Sequence, residues 1–487
     1  MDHRGPFRLL LTTVILANVL LALFPQRMVE PDDLCFYSGM QIFSKGRLVL
    51  SPREFQREQE DAARQRDGPI PGWVRTPRGI VFEKSPGYAG LLALFHRIRL
   101  ERLANPLLSL IAVVLIFAML RSEPIGGRFA LFSACLTLLN PSFLLMLYRT
   151  FMSDFSSAVL VLISLGLYYI GERDGRRSAY VLSGLFLGFS VIFRYSNLLS
   201  YGVIFLYTIV QELRDRRNSR GLYLWWTRRG LWIAFGASLI PLALLALYSV
   251  RTTGSPFRIG YSYTILRNPR PPFSLSYLPR NLLRVVPLLL LGFPTWILVP
   301  RGMILLLKTR ERMGLFLLSW MIVYFGVYLC YEWVRSDYFI FQTRFFLPAL
   351  FPVAIASGAA IASWRELWAT RLTGVLLISI TLVLCGNFFA RYVLGPGERM
   401  GPPHRWGSRP QGPRFEEARP PFPEAFRKIE RLHGLMEQCL REGKDISAAK
   451  RLDDASKQAF ERGDPKRSME RIDQAIHMLE RTLRQPD

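Results

Sequence analysis

Hydrophobic residues are concentrated in runs of roughly 13–20 residues, and most of these approach the length that an α-helix needs to cross a bilayer. Polar segments separate the runs, so the pattern predicts about eleven spans. Because lipid admits only helices or closed barrels, we expect an all-α polytopic membrane protein. The predicted spans are Phe7–Phe24, Ala104–Leu120, Phe129–Leu147, Phe155–Ile170, Tyr180–Phe193, Leu198–Val210, Leu231–Val250, Leu282–Val299, Leu315–Leu329, Phe346–Ala362 and Leu372–Phe389.

The first run follows a short basic segment, as the hydrophobic part of a signal peptide would. No small-residue cleavage site follows it, and many further runs do. We therefore interpret Phe7–Phe24 as a retained first helix.

The positions of Lys and Arg predict the orientation of the chain in the membrane. Cytoplasmic loops carry an excess of these residues, and alternate loops of this sequence are enriched in them. The enriched loops are RSEPIGGR, GERDGRR, QELRDRRNSRGLYLWWTRR, RGMILLLKTRER and WRELWATR. With these inside, we expect a cytoplasmic N-terminus, a long external loop over residues 25–103 and an external C-terminus, in the cytoplasmic membrane of a cell.

The last hundred residues differ in character from the predicted membrane domain, residues 1–390. Residues 391–423 are rich in Pro, Gly and Arg, which is typical of an extended linker. Residues 424–487 have apolar stripes at helical spacing, broken at Gly463-Asp464-Pro465. This pattern predicts a soluble helical hairpin or small bundle, which is a candidate for binding a protein partner.

Composition and charge restrict the possible functions. The chain has 487 residues, of which 50% are hydrophobic, and a formal net charge of +25. Its basic residues lie largely in loops between spans, where membrane orientation explains them, so we do not expect nucleic-acid binding. The five cysteines are scattered without metal-ligand spacing, which argues against structural zinc.

Three acids lie where predicted spans meet the external side. Asp32 and Asp33 begin the long external loop, and Asp154 lies where the second external turn enters its helix. Ionisable groups beside hydrocarbon are costly unless they are paired or functional. Each acid could instead cap a helix, since Asp is a preferred N-cap residue.

Four cations accompany these acids at predicted external positions: Lys84, Arg194, Arg258 and Arg344. Singly, each could extend its charge toward lipid phosphates. Together with the acids they predict a cleft that binds an anionic phosphate and deprotonates a nearby hydroxyl or amine.

Four segments resemble the GT-C class of membrane glycosyltransferases, especially the protein O-mannosyltransferases and the lipid A aminoarabinose transferases. They are EPDDLCFY, EKSPGYAGLLALF, the run LYRTFMSDFSSAVLVLISLGLYY with the following GLFLGFSVIFRYSNLL, and the pair TGSPFRIGYSY and QTRFFLPALFPV. The chain departs from these families in having Lys-Ser-Pro where Lys-Pro-Pro is usual and in lacking a large insert among the late loops.

The resemblance implies sugar transfer from a polyprenyl-phosphate donor to a lipid, glycan or protein acceptor on the external face, with inversion at the anomeric carbon. It implies that Asp33 or Asp32 is the general base and that Asp154 positions the acceptor or the base. Lys84, Arg194, Arg344 and Arg258 would bind the donor phosphate, and Tyr37, Tyr88 and Tyr261 would line the cavity. We expect no metal, although some members of the class bind a divalent cation.

Three alternative functions remain open. A transporter or flippase of lipid-linked sugars would need polar residues within the spans and internal repeats; the predicted spans have few such residues, and no repeat is evident. A polysaccharide ligase or polymerase would use external arginines without the acidic first loop. A non-catalytic member would act as a membrane scaffold through its tail.

Overall fold

The computed structural model describes most of the chain between residues 31 and 484. The described residues are Thr12, 31–66, 71–121, 126–138, 140–218, 229–265, 272–332, 339–364, 428, 431–432, 434–436, 438–439, 442–461 and 465–484. Apart from Thr12, the first and last predicted spans and the predicted linker lie outside them. The chain divides into two compact units, Met1–Pro402 and Pro403–Asp487.

Helices dominate the first unit. They are α1 (Pro31–Ser44), α2 (Pro52–Arg66), α3 (Pro86–Arg97), α4 (Ala104–Arg121), α5 (Gly126–Leu138), α6 (Pro141–Tyr148), α7 (Ser153–Asp174), α8 (Arg177–Phe193), α9 (Leu199–Asn218), α10 (Arg229–Thr253), α11 (Gly260–Ile265), α12 (Leu278–Gly292), α13 (Val299–Thr309), α14 (Glu311–Leu329) and α15 (Leu347–Ala362). Short 3-10 turns join several of them, at Glu101–Leu103, Tyr195–Leu198, Leu275–Tyr277, Pro294–Leu298 and Phe339–Phe346.

Five described helical segments are long and apolar enough to cross a membrane: Glu101–Leu120, Ser153–Asp174, Arg229–Thr253, Glu311–Leu329 and Thr343–Ala362. A bent pair, Gly127–Leu138 with Ser142–Tyr148, makes a sixth if it forms one span. The chain is therefore an all-α polytopic membrane protein.

Two predicted spans are interrupted in the structure. The run Phe129–Leu147 is divided between α5 and α6, because Pro141 starts a new helix that Asn140 caps through the backbone N–H groups of Ser142 and Phe143. The run Leu282–Val299 is divided at Pro294, where α12 gives way to a 3-10 turn. The sequence predicts a loop after this run, but α13 covers most of that segment.

The predicted external loop contains a small sheet that the hydrophobic pattern did not reveal. Its strands are β1 (Val49–Leu50), β2 (Trp73–Thr76) and β3 (Gly79–Phe82), in the antiparallel order β1-β3-β2. Gly79 has a φ of 136°, and a Cβ there would lie 2.8 Å from the Leu50 carbonyl oxygen. Only glycine fits this close approach of two strands.

Helices α7 and α15 contribute many residues to the core of the membrane unit. Every residue of α15 is buried, and most residues of α7 are. Helix α8 packs closely on α10, where Gly184 and Gly188 face the carbonyl oxygens of Ala234 and Ser238. Small residues at such contacts let membrane helices approach one another.

The second unit is a small helical assembly. Its complete helices are α16 (Ser447–Glu461) and α17 (Pro465–Arg484), and they pack together. Leu432 and Cys439 join Ala449, Ile472 and Leu479 in its buried core. The apolar stripes of the sequence therefore correspond to the packed faces of these helices.

Candidate active site

The ends of five elements meet at one place in the first unit. Asp32 and Asp33 lie in the first turn of α1, and Asp154 lies in the first turn of α7. Three cations accompany them in the connections between elements: Lys84 before α3, Arg194 after α8 and Arg344 in the turn before α15. A helix N-terminus stabilises negative charge, which suits the three carboxylates.

Asp32 is held between two cations. Its Oδ1 lies 3.1 Å from Lys84 Nζ, and its Oδ2 lies 3.4 Å from Arg344 Nη2. The Asp32 side chain is 32% exposed, whereas those of Lys84 and Arg344 are 17% and 13% exposed. Asp32 is thus a carboxylate that solvent, and hence a substrate, can reach.

The neighbouring charges set the protonation of this pair. Burial by itself raises the pKa of Asp32, but Lys84, Arg344 and, to a lesser extent, Arg194 outweigh it and lower that pKa to about 2. Burial likewise disfavours the charged form of Lys84, yet Tyr261, Asp32 and Glu83 raise the pKa of Lys84 well above its ordinary value. Both groups are therefore charged at neutral pH.

Asp33 has the opposite environment. Its side chain is 0% exposed, and its Oδ2 lies 3.5 Å from Nη1 of Arg149, whose side chain is 5% exposed. Arg149 follows α6 directly, and its Nη1 also lies 3.5 Å from Met152 Sδ. Asp33 therefore belongs to a buried ion pair.

Asp154 pairs with Arg194, whose Nη1 donates a hydrogen bond to Asp154 Oδ1. The side chain of Asp154 is 6% exposed. The N-cap of α7 is Met152, without a side-chain hydrogen bond, so Asp154 does not act as the cap residue that its position allowed. Its carboxylate reaches the next connection instead.

An aromatic ring brings two of the arginines together. The guanidinium groups of Arg194 and Arg344 lie 5.3 Å and 4.9 Å from the centre of the Phe345 ring. Both distances are within the range of cation–π attraction. In addition, the Tyr195 backbone N–H donates a 3.3 Å hydrogen bond to Ser85 Oγ, which joins the segments of Arg194 and Lys84.

Close backbone contacts hold these segments in place. A Cβ on Gly87 would lie 2.9 Å from the Ile192 carbonyl carbon, and one on Gly260 would lie 2.5 Å from the Phe82 carbonyl oxygen. The start of α3 therefore lies directly against the end of α8, and the start of α11 lies against β3. These contacts fix Lys84 between Arg194 and Tyr261.

The three predicted cavity tyrosines have different positions. Lys84 Nζ donates a 2.9 Å hydrogen bond to the Tyr261 hydroxyl, so Tyr261 joins the cluster. Tyr37 is partly buried, accepts a hydrogen bond from Gln41 and packs edge-on against Phe151. Tyr88 is 0% exposed, and its hydroxyl donates to the Thr150 carbonyl oxygen.

The surroundings of Arg258 differ from those of the other three predicted phosphate-binding residues, Lys84, Arg194 and Arg344. It lies in the connection between α10 and α11, and its side chain is exposed. The cluster itself is formed by Asp32, Asp33, Lys84, Arg149, Asp154, Arg194, Tyr261, Arg344 and Phe345.

Sequence reasoning missed Arg149 and Phe345. Both lie inside segments that carry the GT-C resemblance, LYRTFMSD and QTRFFLP, and Phe345 directly follows Arg344. Arg149 could have been noticed as an unbalanced charge five residues before Asp154, because a charge in an apolar segment needs a partner.

Cys35 lies close enough to Lys84, Asp32 and Asp33 to interact with their charges. Burial raises the pKa of the Cys35 thiol to about 12, so it stays protonated at neutral pH. Within the part of the chain that the structure describes, no group of three or more His, Cys, Asp or Glu residues is arranged to hold a metal ion.

Part of the chain is similar to one family of known proteins. Residues 83–236 match the profile of the dolichyl-phosphate-mannose-protein mannosyltransferase family. That segment contains Lys84, Arg149, Asp154 and Arg194. No curated protein sequence matches the chain significantly.

Solved structures share the fold. ArnT from Cupriavidus metallidurans bound to undecaprenyl phosphate aligns with a TM-score of 0.58 and 16% identity, over 98% of this chain and 76% of its own. Its apo form aligns with a TM-score of 0.54 and 15% identity, over 97% of this chain and 75% of its own. The family match covers less than half of the chain, and the two solved structures share its polytopic membrane fold.

Proposed function

We propose that this protein transfers a sugar from a polyprenyl-phosphate donor to an acceptor on the external face of the membrane, with inversion at the anomeric carbon. The observation that carries the proposal is the partly exposed carboxylate of Asp32, held between Lys84 and Arg344. An acid for the acceptor and cations for the phosphate are thus adjacent. The fold shared with an undecaprenyl-phosphate-bound ArnT supports a lipid-linked donor.

In this proposal, the donor phosphate binds to Lys84, Arg344 and Arg194. Guanidinium and ammonium groups form charge-assisted hydrogen bonds with phosphate oxygens, and arginine does so bidentately. Arg194 and Arg344 both contact the Phe345 ring, with their guanidinium groups 5.3 Å and 4.9 Å from its centre. Tyr261 orients Lys84 through its 2.9 Å hydrogen bond.

The reaction exchanges one bond for another. An acceptor hydroxyl or amine attacks the anomeric carbon, on the face opposite to the phosphate, and forms the new glycosidic bond. The bond between that carbon and the phosphate oxygen breaks, and its electron pair leaves with the polyprenyl phosphate. The acceptor proton passes to Asp32, and the cations stabilise the additional negative charge on the departing phosphate.

Of the two neighbouring acids, Asp32 fits the role of general base better than Asp33. A base must come within hydrogen-bonding distance of the proton that it removes. Asp32 is 32% exposed, whereas Asp33 is 0% exposed and paired with a buried arginine. We therefore assign the base to Asp32 and a supporting role to Asp154, which holds Arg194 in the cluster.

Donor binding would also change the strength of the base. The cations that would bind the phosphate are the same ones that hold Asp32 in the free protein. A phosphate that shares Lys84 and Arg344 weakens their pull on Asp32 and adds negative charge beside it. Both effects raise the pKa of Asp32 and so increase its basicity.

The direct test is sugar transfer by the purified full-length protein in lipid nanodiscs, with radiolabelled polyprenyl-phosphate sugars and extracted membrane acceptors. We expect Asp32→Asn to lower kcat by roughly 10²- to 10⁴-fold, because a general base contributes about that much. The matched control is Asp61→Asn, an exposed acid on α2, which should keep full activity.

Full transfer by Asp32→Asn would contradict the mechanism. Lipid-linked sugar that crosses the bilayer without transfer to any acceptor would favour the transporter, which counter-flow in proteoliposomes can measure. Donor binding without transfer or transport, in the wild-type protein, would favour the scaffold.

A further inference from the structure

Asp33 and Arg149 form an ion pair that is almost completely removed from solvent. Their closest atoms, Oδ2 and Nη1, are 3.5 Å apart, and their side chains are 0% and 5% exposed. Asp33 lies in the first turn of α1, one residue after Asp32. Arg149 lies in the connection between α6 and α7, five residues before Asp154. The pair therefore joins the segments that carry the other two acids.

The connection around Arg149 is itself held by buried hydrogen bonds. The Nδ2 of Asn105, a fully buried residue, donates to the carbonyl oxygens of Met146, Leu147 and Arg149, at 3.4, 3.3 and 3.1 Å. The Tyr88 hydroxyl contacts Asn105 Oδ1 at 3.1 Å and donates to the Thr150 carbonyl oxygen. Helices α3 and α4 thus fix the connection onto which Asp33 is anchored.

We propose that Asp33 and Arg149 are a positioning pair that anchors the first turn of α1 to the α6–α7 connection and thereby sets the distance of Asp32 from the Arg194–Asp154 pair. The inference rests on the proposed function, since it concerns how the base is placed. It assigns the second acid of the DD sequence to a role other than proton transfer.

Two properties of the pair support this role. First, Asp33 cannot meet an acceptor in this arrangement, because its carboxylate has no exposed surface. Second, rotation of α1 would move Asp32 away from Lys84 and Arg344, and the buried pair resists that rotation, because it would break a contact between two charges that are almost completely removed from water. Displacements of about 1 Å at a reacting group can lower rates by about 10²-fold.

The test compares Asp33→Asn, Arg149→Gln and the double variant in the full-length protein. Each single variant removes the contact between the two buried charges and keeps one of the charges, whereas the double variant removes both charges. We expect each single change to lower kcat per folded molecule by roughly 10- to 100-fold. We expect the double variant to recover most of that loss, as coupled residues do.

Two further measurements separate positioning from other roles. The Kd for a short phosphodiester, farnesyl methyl phosphate, should stay within about twofold in Asp33→Asn, because Lys84, Arg344 and Arg194 remain. The acid limb of the kcat–pH profile should also remain, because Asp32 is still the base. The thermal melting curve of each variant gives the folded fraction that is needed to express kcat per folded molecule.

Each alternative has a distinct result. If Asp33 is itself the base, the double variant stays as inactive as Asp33→Asn and the acid limb disappears. If the pair only stabilises the fold, the melting temperature falls but kcat per folded molecule does not change. Either result would overturn the inference. Full activity of Asp32→Asn, measured in parallel, would instead reject the proposed function.

Discussion

Asp32 and Asp33 are adjacent in the sequence but differ in what surrounds them. On a helix, adjacent side chains point about 100° apart, so one residue of this pair faces the cations while the other enters the core. Asp32 contacts Lys84 and Arg344 and remains partly exposed, whereas Asp33 contacts the buried Arg149. The direction of each side chain therefore determines which acid can meet a substrate.

The depressed pKa of Asp32 predicts the pH dependence of the reaction. In the free protein its carboxylate stays ionised down to about pH 2, so kcat/KM should show no acid limb from Asp32 above about pH 4. The donor complex should have a higher Asp32 pKa, so the acid limb of kcat should lie at higher pH than that of kcat/KM. Parallel pH–rate profiles test this, and coincident limbs would count against it.

The ionised carboxylate of Asp32 also contributes to the stability of the fold. Because the folded-state pKa lies below the ordinary value of 3.8, the Asp32 contribution is fully present above about pH 4 and is lost as the pH falls toward 2. Melting curves of the wild-type protein and Asp32→Asn should therefore converge between about pH 4 and pH 2. A constant difference across that interval would indicate that Asp32 does not titrate there.

Lys84 should contribute more to donor binding than to folding. Its ammonium group contacts Asp32 and Tyr261 in the free protein and would bind phosphate in the complex. A hydrogen bond to a charged group contributes about 1.5–3 kcal/mol, so Lys84→Met should raise the donor Kd by about 10- to 150-fold. Binding of farnesyl methyl phosphate measures this directly.

The control for that change is Arg57→Met, which removes an exposed cation from α2. It should leave the Kd within about twofold, because exposed charges contribute little. Equal weakening by both substitutions would point to general electrostatic attraction rather than a phosphate contact at Lys84.

Among the elements, the ends of helices and the turns between them supply the charged groups. Asp32, Asp33 and Asp154 occupy first turns, while Arg149 and Arg194 follow the last turns of α6 and α8. Charged residues at these positions can stay outside the hydrocarbon and still meet one another. The precision of the cluster therefore depends on how tightly the helix ends are connected.

A substitution of Asn105 tests how much the connection between helix ends matters, because the Asn105 side chain donates hydrogen bonds to three carbonyl oxygens near the end of α6. Asn105→Ala should destabilise the protein by about 1–3 kcal/mol, the cost of leaving buried polar groups unsatisfied. Thermal or chemical denaturation in detergent measures the change. Gln56→Ala, on the exposed side of α2, should stay within about 0.5 kcal/mol of wild type, and a similar effect of both would contradict the role of Asn105.

Close packing of α13 on α15 gives a second element-level prediction. A Cβ on Gly302 would lie 1.8 Å from the Ala356 carbonyl oxygen, so Gly302→Ala must separate the two helices. We expect a loss of about 1–3 kcal/mol, as in other overpacked cores. Gly326→Ala on α14 has no atom within 4 Å and should be neutral or stabilising by up to about 1 kcal/mol. Equal stability of both variants would contradict the close contact.

Among the described residues, some charged contacts join segments that are distant in the sequence. The cluster joins segments that the Lys/Arg distribution predicts to be external, from Asp32 to Arg344. Another ion pair, between Arg214 and Glu311, joins two segments predicted to be cytoplasmic. Each contact thus connects positions that the orientation rule assigns to the same side of the membrane.

Labelling with an impermeant thiol reagent in intact cells tests this orientation. Three exposed positions suit it: Ser276→Cys and Gln474→Cys, predicted to be external, and Thr309→Cys, predicted to be cytoplasmic. We expect the first two to react in intact cells and the third only after permeabilisation. The unsubstituted chain is the control, because it measures the labelling of the five native cysteines. The reverse pattern would invert the predicted topology.

Much of the architecture follows from local patterns in the sequence. Length and hydrophobicity of a run decide whether it can cross a bilayer, and the helical periodicity of the tail predicts its packed faces. The acids and cations at helix ends, read with the GT-C resemblance, identified Asp32, Lys84, Asp154, Arg194, Tyr261 and Arg344 as candidates before their contacts were known. These signals are local, because each depends on residues within a few turns of one another.

The pairing of these residues depends on contacts between distant parts of the chain. Asp33 and Arg149 are separated by 116 positions, and Lys84 and Tyr261 by 177, so no local pattern could reveal either contact. The division of two apolar runs into separate helices and the two- to four-residue strands of the small sheet were equally hidden, since they depend on packing against neighbours. The sequence supplied the charged groups, and the three-dimensional packing determined that Asp32 is exposed and Asp33 is buried.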